Sequence, residues 1–581
     1  MILLPISQLV LAVINLFLIN TFNLDRISSS FLVDFSTFHF LHFHIHWENS
    51  IIFLFYSIVN LMSIKFALTY LEKDKYFNKF FILYPLFCFA QNLIILNDNL
   101  NAIYAGLEIL GITSIFLISY FHERKQALEN ALKTLVIYKI GDMFFLVALS
   151  YLYSLNVEVF TLQSLSHLPS WGAFLFVLSC FVKSAIYPFT YWLPKSVEGP
   201  TPTSAVYYGA LSVNIGPILF LLAYPHLKLS GIYLIITILL LIISALIGFV
   251  HSRINSDAKV TIVYSGMTHI SLVYLEIMMG FEILAMIHLV CNLIVRSYQM
   301  LFAPSLFQNI LFMEKYYNYQ GQNNVKHLEH YLSPKIRRYF YRMGLDEWGL
   351  ENLWNIFIFQ PGRSLAFLFN HKTFFSKIQQ FGNYHFLIIL SVLIAFGIYL
   401  NTITQLNIPW PYLLIPLIFV YFLLFESIND NKLLFVGLNL LIINLVKDAI
   451  ILKTNGNDDH AHLFTILSFS MTILLNFFIF FLWKKYHISQ INQYQGFLEN
   501  HKILGGLFLA VILSLGHTPF LLLSDLNEHN LHAIALQGNL AISFGLILLD
   551  NLYAFLLIKL AFRILFGSDA KIHRGLVYEQ I

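Results

Sequence analysis

Apolar runs about 20 residues long recur from one end of this chain to the other, and each is long enough to cross a bilayer as a helix. They lie near 2–22, 50–71, 80–98, 100–121, 131–154, 171–193, 202–224, 230–251, 259–280, 282–306, 383–402, 409–425, 431–453, 461–483, 503–524 and 532–566. That makes about sixteen spans, the last long enough to hold a break. The expected fold class is an all-α polytopic membrane protein, a large helical bundle and not a string of soluble domains. Composition agrees, with 58% hydrophobic residues, 57 phenylalanines and a mean hydropathy of +0.71. Only 11% of residues are charged, against about 25% in a soluble protein. A net charge of +3 gives no argument for nucleic acid. The three cysteines, Cys88, Cys180 and Cys291, all sit inside apolar runs, which offers neither a disulfide framework nor a zinc or iron–sulfur site. The first run lacks a basic leader and a small-residue cleavage site, so it reads as a first spanning helix.

Basic residues in the connections follow an alternation. Lys73, Lys75 and Lys79, then Arg124 and Lys125, Arg253, and Lys484-Lys485 fall in even-numbered loops, while 155–170 and 403–408 contain no lysine or arginine. This pattern predicts that the even loops and both termini face the cytoplasm or matrix. The tenth loop, 307–382, is the one long interruption, with a basic stretch Lys335-Ile336-Arg337-Arg338. Leu350, Leu353, Trp354, Phe357 and Ile358 then recur at helical spacing and predict an amphipathic or partly inserted helix. The expected organisation is a membrane bundle over 1–306, a basic connector over 307–382 and a second bundle over 383–581.

Ionisable residues inside the spans point to chemistry. Lys183 ends an apolar run and is followed by Pro188, Pro194, Pro200 and Pro202. A charge at such depth costs at least ~2.5–3.5 kcal/mol, so it should face protein or water. Prolines free backbone carbonyls that a membrane tolerates only where protein or a cavity satisfies them again. Glu108 lies mid-span, Lys139 and Asp142 flank Ile140-Gly141, Lys259 opens a span that contains His269, and His288 and Arg296 share another. Lys447-Asp448 and Asp550 mark the C-terminal part. Burial disfavours the charge on a lysine and a nearby carboxylate favours it, so one proton can switch such a pair. A row of these groups joined by water makes a proton path, with Glu108 and Lys183 as the switching pair and Arg296 as a fixed positive charge. Static salt bridges between helices are the plainer alternative. His42, His44 and His46 alternate within a strand-like segment, where an external β-hairpin fits better than a metal site.

These residues fall in motifs that resemble the antiporter-like, proton-conducting subunits of respiratory complex I, in the subunit L or mitochondrial subunit 5 branch. The same superfamily includes the large subunits of multi-subunit Na⁺/H⁺ antiporters and the membrane subunit of the DAB inorganic-carbon transporters. The resemblance covers about residues 50 to 306. It rests on Gly106–Ser114 around Glu108, on Lys139-Ile140-Gly141-Asp142, and on the nearly intact stretch from Lys183 through Trp192-Leu193-Pro194 to Glu198-Gly199-Pro200-Thr201-Pro202-Thr203-Ser204-Ala205. It continues through Asp257, Lys259, Tyr264, Ser265 and Met267 and through His288, Asn292 and Arg296. The resemblance implies an antiporter-like bundle with broken helices, in which Glu108 and Lys183 take the ion-pair and proton-switching roles. The chain departs from the family at Tyr208 and Asn292, where histidines are usual, and at Arg296, where lysine is usual. The family's second broken helix has its sole counterpart in Gly516-His517-Thr518-Pro519-Phe520, with Asp525 following and no lysine.

No glycine-rich phosphate loop, cysteine cluster or haem signature occurs, so no cofactor is expected and the chain alone cannot oxidise NADH. The expected function is a membrane subunit that moves H⁺, or Na⁺, and couples that flow to a partner. The resemblance implies either quinone-oxidoreductase subunits as partners or, in a DAB-type system, a cytoplasmic zinc protein of the carbonic-anhydrase kind. A non-conducting scaffold that keeps the fold is the third reading.

Overall fold

The computed structural model describes residues 3–22, 27–30, 42–155, 157, 160–205, 211–255, 257–317, 333–345, 347–354, 433–455, 459–486, 496–519 and 521–566. The expected spans at 383–402 and 409–425, Tyr208 and the segment from Phe357 to 382 lie outside them. Two compact units emerge, the first made chiefly of residues up to Leu353 and the second chiefly of residues from Trp354 onward.

The first unit begins with α1 (Leu3–Phe22) and a short antiparallel hairpin, β1 (Ile27–Ser30) and β2 (His42–Ile45), in which Ser28 faces His44 and Ser30 faces His42. The hairpin expected around these histidines is thus present. The helices α2 (Trp47–Tyr70), α3 (Phe77–Leu96), α4 (Leu100–Ile118) and α5 (Lys125–Ser154) follow, then α6 (Ser170–Lys183) and α7 (Ile215–Ala223). The unit is completed by α8 (Gly231–Ile254), α9 (Ala258–Met278), α10 (Glu282–Tyr317) and α11 (Pro334–Leu345). Lys79, expected in a loop, lies in the first turn of α3, and its ammonium donates to the carbonyl of Ser119 at 2.7 Å.

The packing is that of a protein in lipid. On α8 the buried stripe is Thr237, Leu241, Ser244, Ile247, Gly248 and His251, whereas Ile232, Ile235, Leu239 and Leu246 are exposed. Small and polar residues face the neighbouring helices while large apolar ones face outward, as membrane helices do. A Cβ at Gly248 would stand 2.8 Å from the carbonyl of Tyr264, so glycine is what lets α8 and α9 touch. By contrast α4 is enclosed almost along its whole length, Glu108 included. Among the described residues, nine helices are long and apolar enough to span a membrane, and α1, α6, α7 and α14 (Lys502–Leu515) contribute shorter apolar segments.

The run at 171–193, read as one span, is broken. α6 stops at Lys183, and Ala185 takes a left-handed φ of 55°. The amide of Ala185 donates to Val182 and that of Ile186 to Phe181, the paired bonds that close a helix before a left-handed residue. Short 3-10 turns at Phe189–Trp192 and Pro194–Glu198 and a helical turn at Thr201–Ser204 follow, with a cis peptide before Pro188. Pro194 starts one turn, while Pro200 precedes and Pro202 lies within the last, positions where a missing N–H costs no helical bond. The indole of Trp192 donates to the carbonyl of Val182 at 3.1 Å, and the amide of Tyr187 donates to the Ser244 hydroxyl at 2.7 Å. Polar groups freed by the break are thereby satisfied inside the protein.

The basic stretch predicted in the long connector forms α11, whose Gly344 packs against Ile254 at the end of α8. Of the amphipathic helix expected beyond it, a short turn at Leu350–Trp354 is described, with Leu350 and Trp354 buried. The span at 282–306 is longer than expected and continues as helix to Tyr317.

The second unit contains α12 (Leu433–Asn455), α13 (Asp459–Tyr486), α14, α15 (Leu522–Leu536) and α16 (Leu540–Leu565). Ile451, Ala461, Phe464, Leu523 and Leu526 form a buried apolar cluster joining α12, α13 and α15. The run at 503–524, read as one helix, is also broken, between α14 and α15, with His517 at φ 54°. The break suspected in the last run occurs at Gly538, φ 80°.

Candidate functional site

Four ionisable side chains meet beside the first helix break. Lys183 is 1% exposed, Glu108 and Asp142 3%, and Lys139 7%. Lys139 Nζ donates to Glu108 Oε1, and Lys183 Nζ donates to Asp142 Oδ1 at 2.8 Å. Glu108 and Lys183, expected as one switching pair, are therefore each joined to a residue of α5. Lys183 also donates to the carbonyl of Leu107 at 3.2 Å, one residue from Glu108, and lies 4.6 Å from the centre of the Tyr138 ring. The ammonium is thus shared among a carboxylate, a carbonyl and an aromatic face, each favourable to a cation.

Local sequence explains the arrangement. A Cβ at Gly141 would stand 2.8 Å from Val182, so the glycine brings α5 close enough for Asp142 to reach Lys183. A Cβ at Gly111 would lie 3.6 Å from Lys183 Nζ, and its absence leaves space beside the ammonium. Because Lys183 is the last residue of α6, its charge also meets the negative end of the helix dipole.

A second row lies along α9 and α10. His269 Nδ1 is 3.0 Å from His288 Nε2, and His288 Nδ1 is 2.9 Å from Glu276 Oε1. Arg296 does not join this row by hydrogen bonds: its Nε donates to Asn292 at 3.4 Å and its Nη1 to Gln299 at 2.6 Å. Asn292 in turn donates to Asn214 at 3.2 Å. Lys259 sits in the first turn of α9, which Asp257 caps, and its ammonium donates to the carbonyl of Gly199 at 3.4 Å. It marks the end of the bundle next to the proline-rich turns.

In the second unit, Lys447 Nζ lies 2.6 Å from Asp550 Oδ1 and 2.7 Å from His517 Nε2. Asn527 donates to Asp550 at 3.0 Å, and Ser468 donates to the neighbouring Asp448 at 2.7 Å. A lysine from α12 thus meets His517 at the second break. The adjacency of Lys447 and Asp448 was visible in sequence, but their meeting with His517 and Asp550 required the fold. Glu276 and Asn214 carried no motif and were missed. Among the described residues no group of three or more histidines, cysteines and acids is arranged to hold a metal.

Residues 97–330 match the transmembrane family described as NADH:quinone oxidoreductase/Mrp antiporter, TM. The matched segment contains the quartet, the break and the α9–α10 row. The chain is 28% identical over 246 residues to NADH-ubiquinone oxidoreductase chain 5 of Candida albicans, a match covering 40% of this chain and 44% of that protein. It is 29% identical over 236 residues to the putative antiporter subunit mnhA2 of Staphylococcus aureus, covering 39% of this chain and 30% of that one. The matches thus span less than half the length of these relatives. The Mrp complex from Dietzia, at 14% identity and a TM-score of 0.42, aligns with 82% of this chain and 71% of the Mrp chain. Over residues 97–330 the chain is thus similar to membrane subunits of the antiporter and chain 5 kind.

Proposed function

We propose that this chain translocates protons as one subunit of a larger membrane assembly of the complex I kind. The observation that carries the reading is the enclosed quartet Lys139–Glu108 and Lys183–Asp142 at a broken helix. Two buried cations with two buried anions balance each other, so a proton can shift among them without changing the net charge of the cluster. In this reading Lys259 receives or releases protons at one end, His269 and His288 carry them along α9 and α10, and Arg296 is a fixed barrier charge. Pro188, Pro194, Pro200 and Pro202 keep the break open. The Lys447–Asp550–His517 cluster provides a second relay in the second unit.

The bundle over 1–306 then forms the conducting module, 307–382 a basic connector and 383–581 a second membrane bundle. The even loops and termini face the cytoplasm or matrix of a bacterial or mitochondrial inner membrane, because basic loops stay on that side. Complex I chain 5 and antiporter subunits are the relatives by sequence, so quinone-oxidoreductase subunits are the first partners to seek.

Asn292 and Arg296 motivate a second reading, in which proton influx energises inorganic-carbon uptake with a cytoplasmic zinc partner. Affinity capture in mild detergent separates the two by the partner recovered. Proton flux into vesicles containing the assembly tests both: Lys183→Met should abolish it, and unchanged flux would leave a scaffold.

A further inference from the structure

Glu276 lies outside every motif that the sequence singled out, yet it ends a row of three titratable side chains. His288 touches it with one ring nitrogen and His269 with the other, at 2.9 and 3.0 Å. In such a row each imidazole can take a proton on one nitrogen and release it from the other. Glu276 lies seven residues after His269 on α9, so the row rises about 10 Å along the helix. It ends one turn before Gly280, whose φ of 83° turns the chain from α9 into α10. The other end of α9, at Asp257 and Lys259, adjoins the last turn of α8, which bears Arg253. The row therefore leads away from the basic face of the bundle.

Two further observations set Glu276 apart from a simple helix clamp. Its second oxygen, Oε2, is buried and accepts no hydrogen bond among the described residues. A clamp to His288 needs only Oε1, whereas a buried bare carboxylate oxygen calls for a proton or a water. The side chains of Glu276 and His288 also keep 21% and 22% of their surface accessible, unlike the enclosed quartet. At the inner end, a Cβ on Gly266 would lie 3.8 Å from Cγ and Cδ of Arg296 and 3.9 Å from its Nε, so that side chain rests against α9 one turn from His269. Arg296 thus stands as a fixed cation beside the inner end of the row.

We infer that Glu276, reached through His288 and His269, is a proton port that opens the first unit to the aqueous side at the α9–α10 turn. This rests on the transport reading above. Glu276→Gln preserves an acceptor for His288 and cannot take up a proton, while Glu276→Asp restores the acid. With the intact assembly in vesicles and a pH-sensitive dye inside, Glu276→Gln should slow proton flux at least tenfold and Glu276→Asp should recover most of it. Full flux in Glu276→Gln, with flux abolished by Lys183→Met, would overturn the port and leave the transport reading standing. Flux untouched by either substitution would overturn both. Sidedness gives a readout that a clamp would not share. In a Cys291→Ser background, Glu276→Cys should react with a membrane-impermeant thiol reagent added to the side opposite Lys73. Reaction from the Lys73 side, or from neither, would overturn the port.

Discussion

Ala185 and His517 hold the same place in two helix breaks, with φ of 55° and 54°. The amide bonds match step for step: Ser184 to Cys180, Ala185 to Val182 and Ile186 to Phe181 in one, Gly516 to Ile512, His517 to Ser514 and Thr518 to Leu513 in the other. Each break has a lysine beside it. In the first the lysine is the helix's own last residue, Lys183, and in the second it is Lys447, arriving from α12. One backbone device thus carries two different side-chain solutions.

That equivalence separates backbone strain from chemistry. A left-handed conformation costs a non-glycine residue about 1–2 kcal/mol. Ala185→Gly should therefore raise thermal stability in detergent by about 1 kcal/mol, offset in part by glycine's unfolded freedom, and leave proton flux unchanged. His517→Gly relieves the same strain but removes the partner of Lys447, so stability should hold while flux falls several-fold. Equal flux in both variants would mean that His517 serves only the backbone.

Asp142→Asn would leave Lys183 buried with no counter-charge, and losing one partner of such a pair costs about 3–5 kcal/mol. Melting of the purified assembly should show a large loss for Asp142→Asn. The double variant Asp142→Asn with Lys183→Met should recover most of that loss and still fail to conduct. Additive losses in the double-variant cycle would deny the coupling.

The two glycines at the quartet predict opposite tolerance. Gly141→Ala puts a methyl group 2.8 Å from Val182 and forces α5 away from α6, at a cost of about 1–3 kcal/mol. Gly111→Ala meets Tyr138 at 3.3 Å and Lys183 at 3.6 Å, which a small ring shift accommodates. Flux and stability should drop sharply in the first and little in the second.

Sequence reading reached the charged residues because a lysine or glutamate within an apolar run stands out, and their motifs added to that. It did not reach their pairing. Asp142 could meet Lys183 only once Gly141 had set the separation of α5 and α6, and Lys139 met Glu108 only through the packing of α4 on α5. The breaks after Lys183 and Leu515 were blurred because the residues on both sides remain apolar, so hydropathy runs on where the helix does not. Glu276 stands in no motif, and its meaning came from His288 on the next helix. His517 was visible as part of a glycine–proline break, but the lysine it needed lay far away in sequence.

The quartet of Lys139, Glu108, Asp142 and Lys183 carries two positive and two negative groups, hence no net charge when all are ionised. One added proton would give this enclosed region a whole positive charge, which a low-dielectric interior resists strongly. If the chain conducts protons as proposed, the cluster would behave like a full single-lane lock. A proton arriving on one side would be tolerated as another departs on the far side, so occupancy would stay constant while charge moves. Leakage in the resting state would then be limited by that electroneutrality as much as by any closed gate.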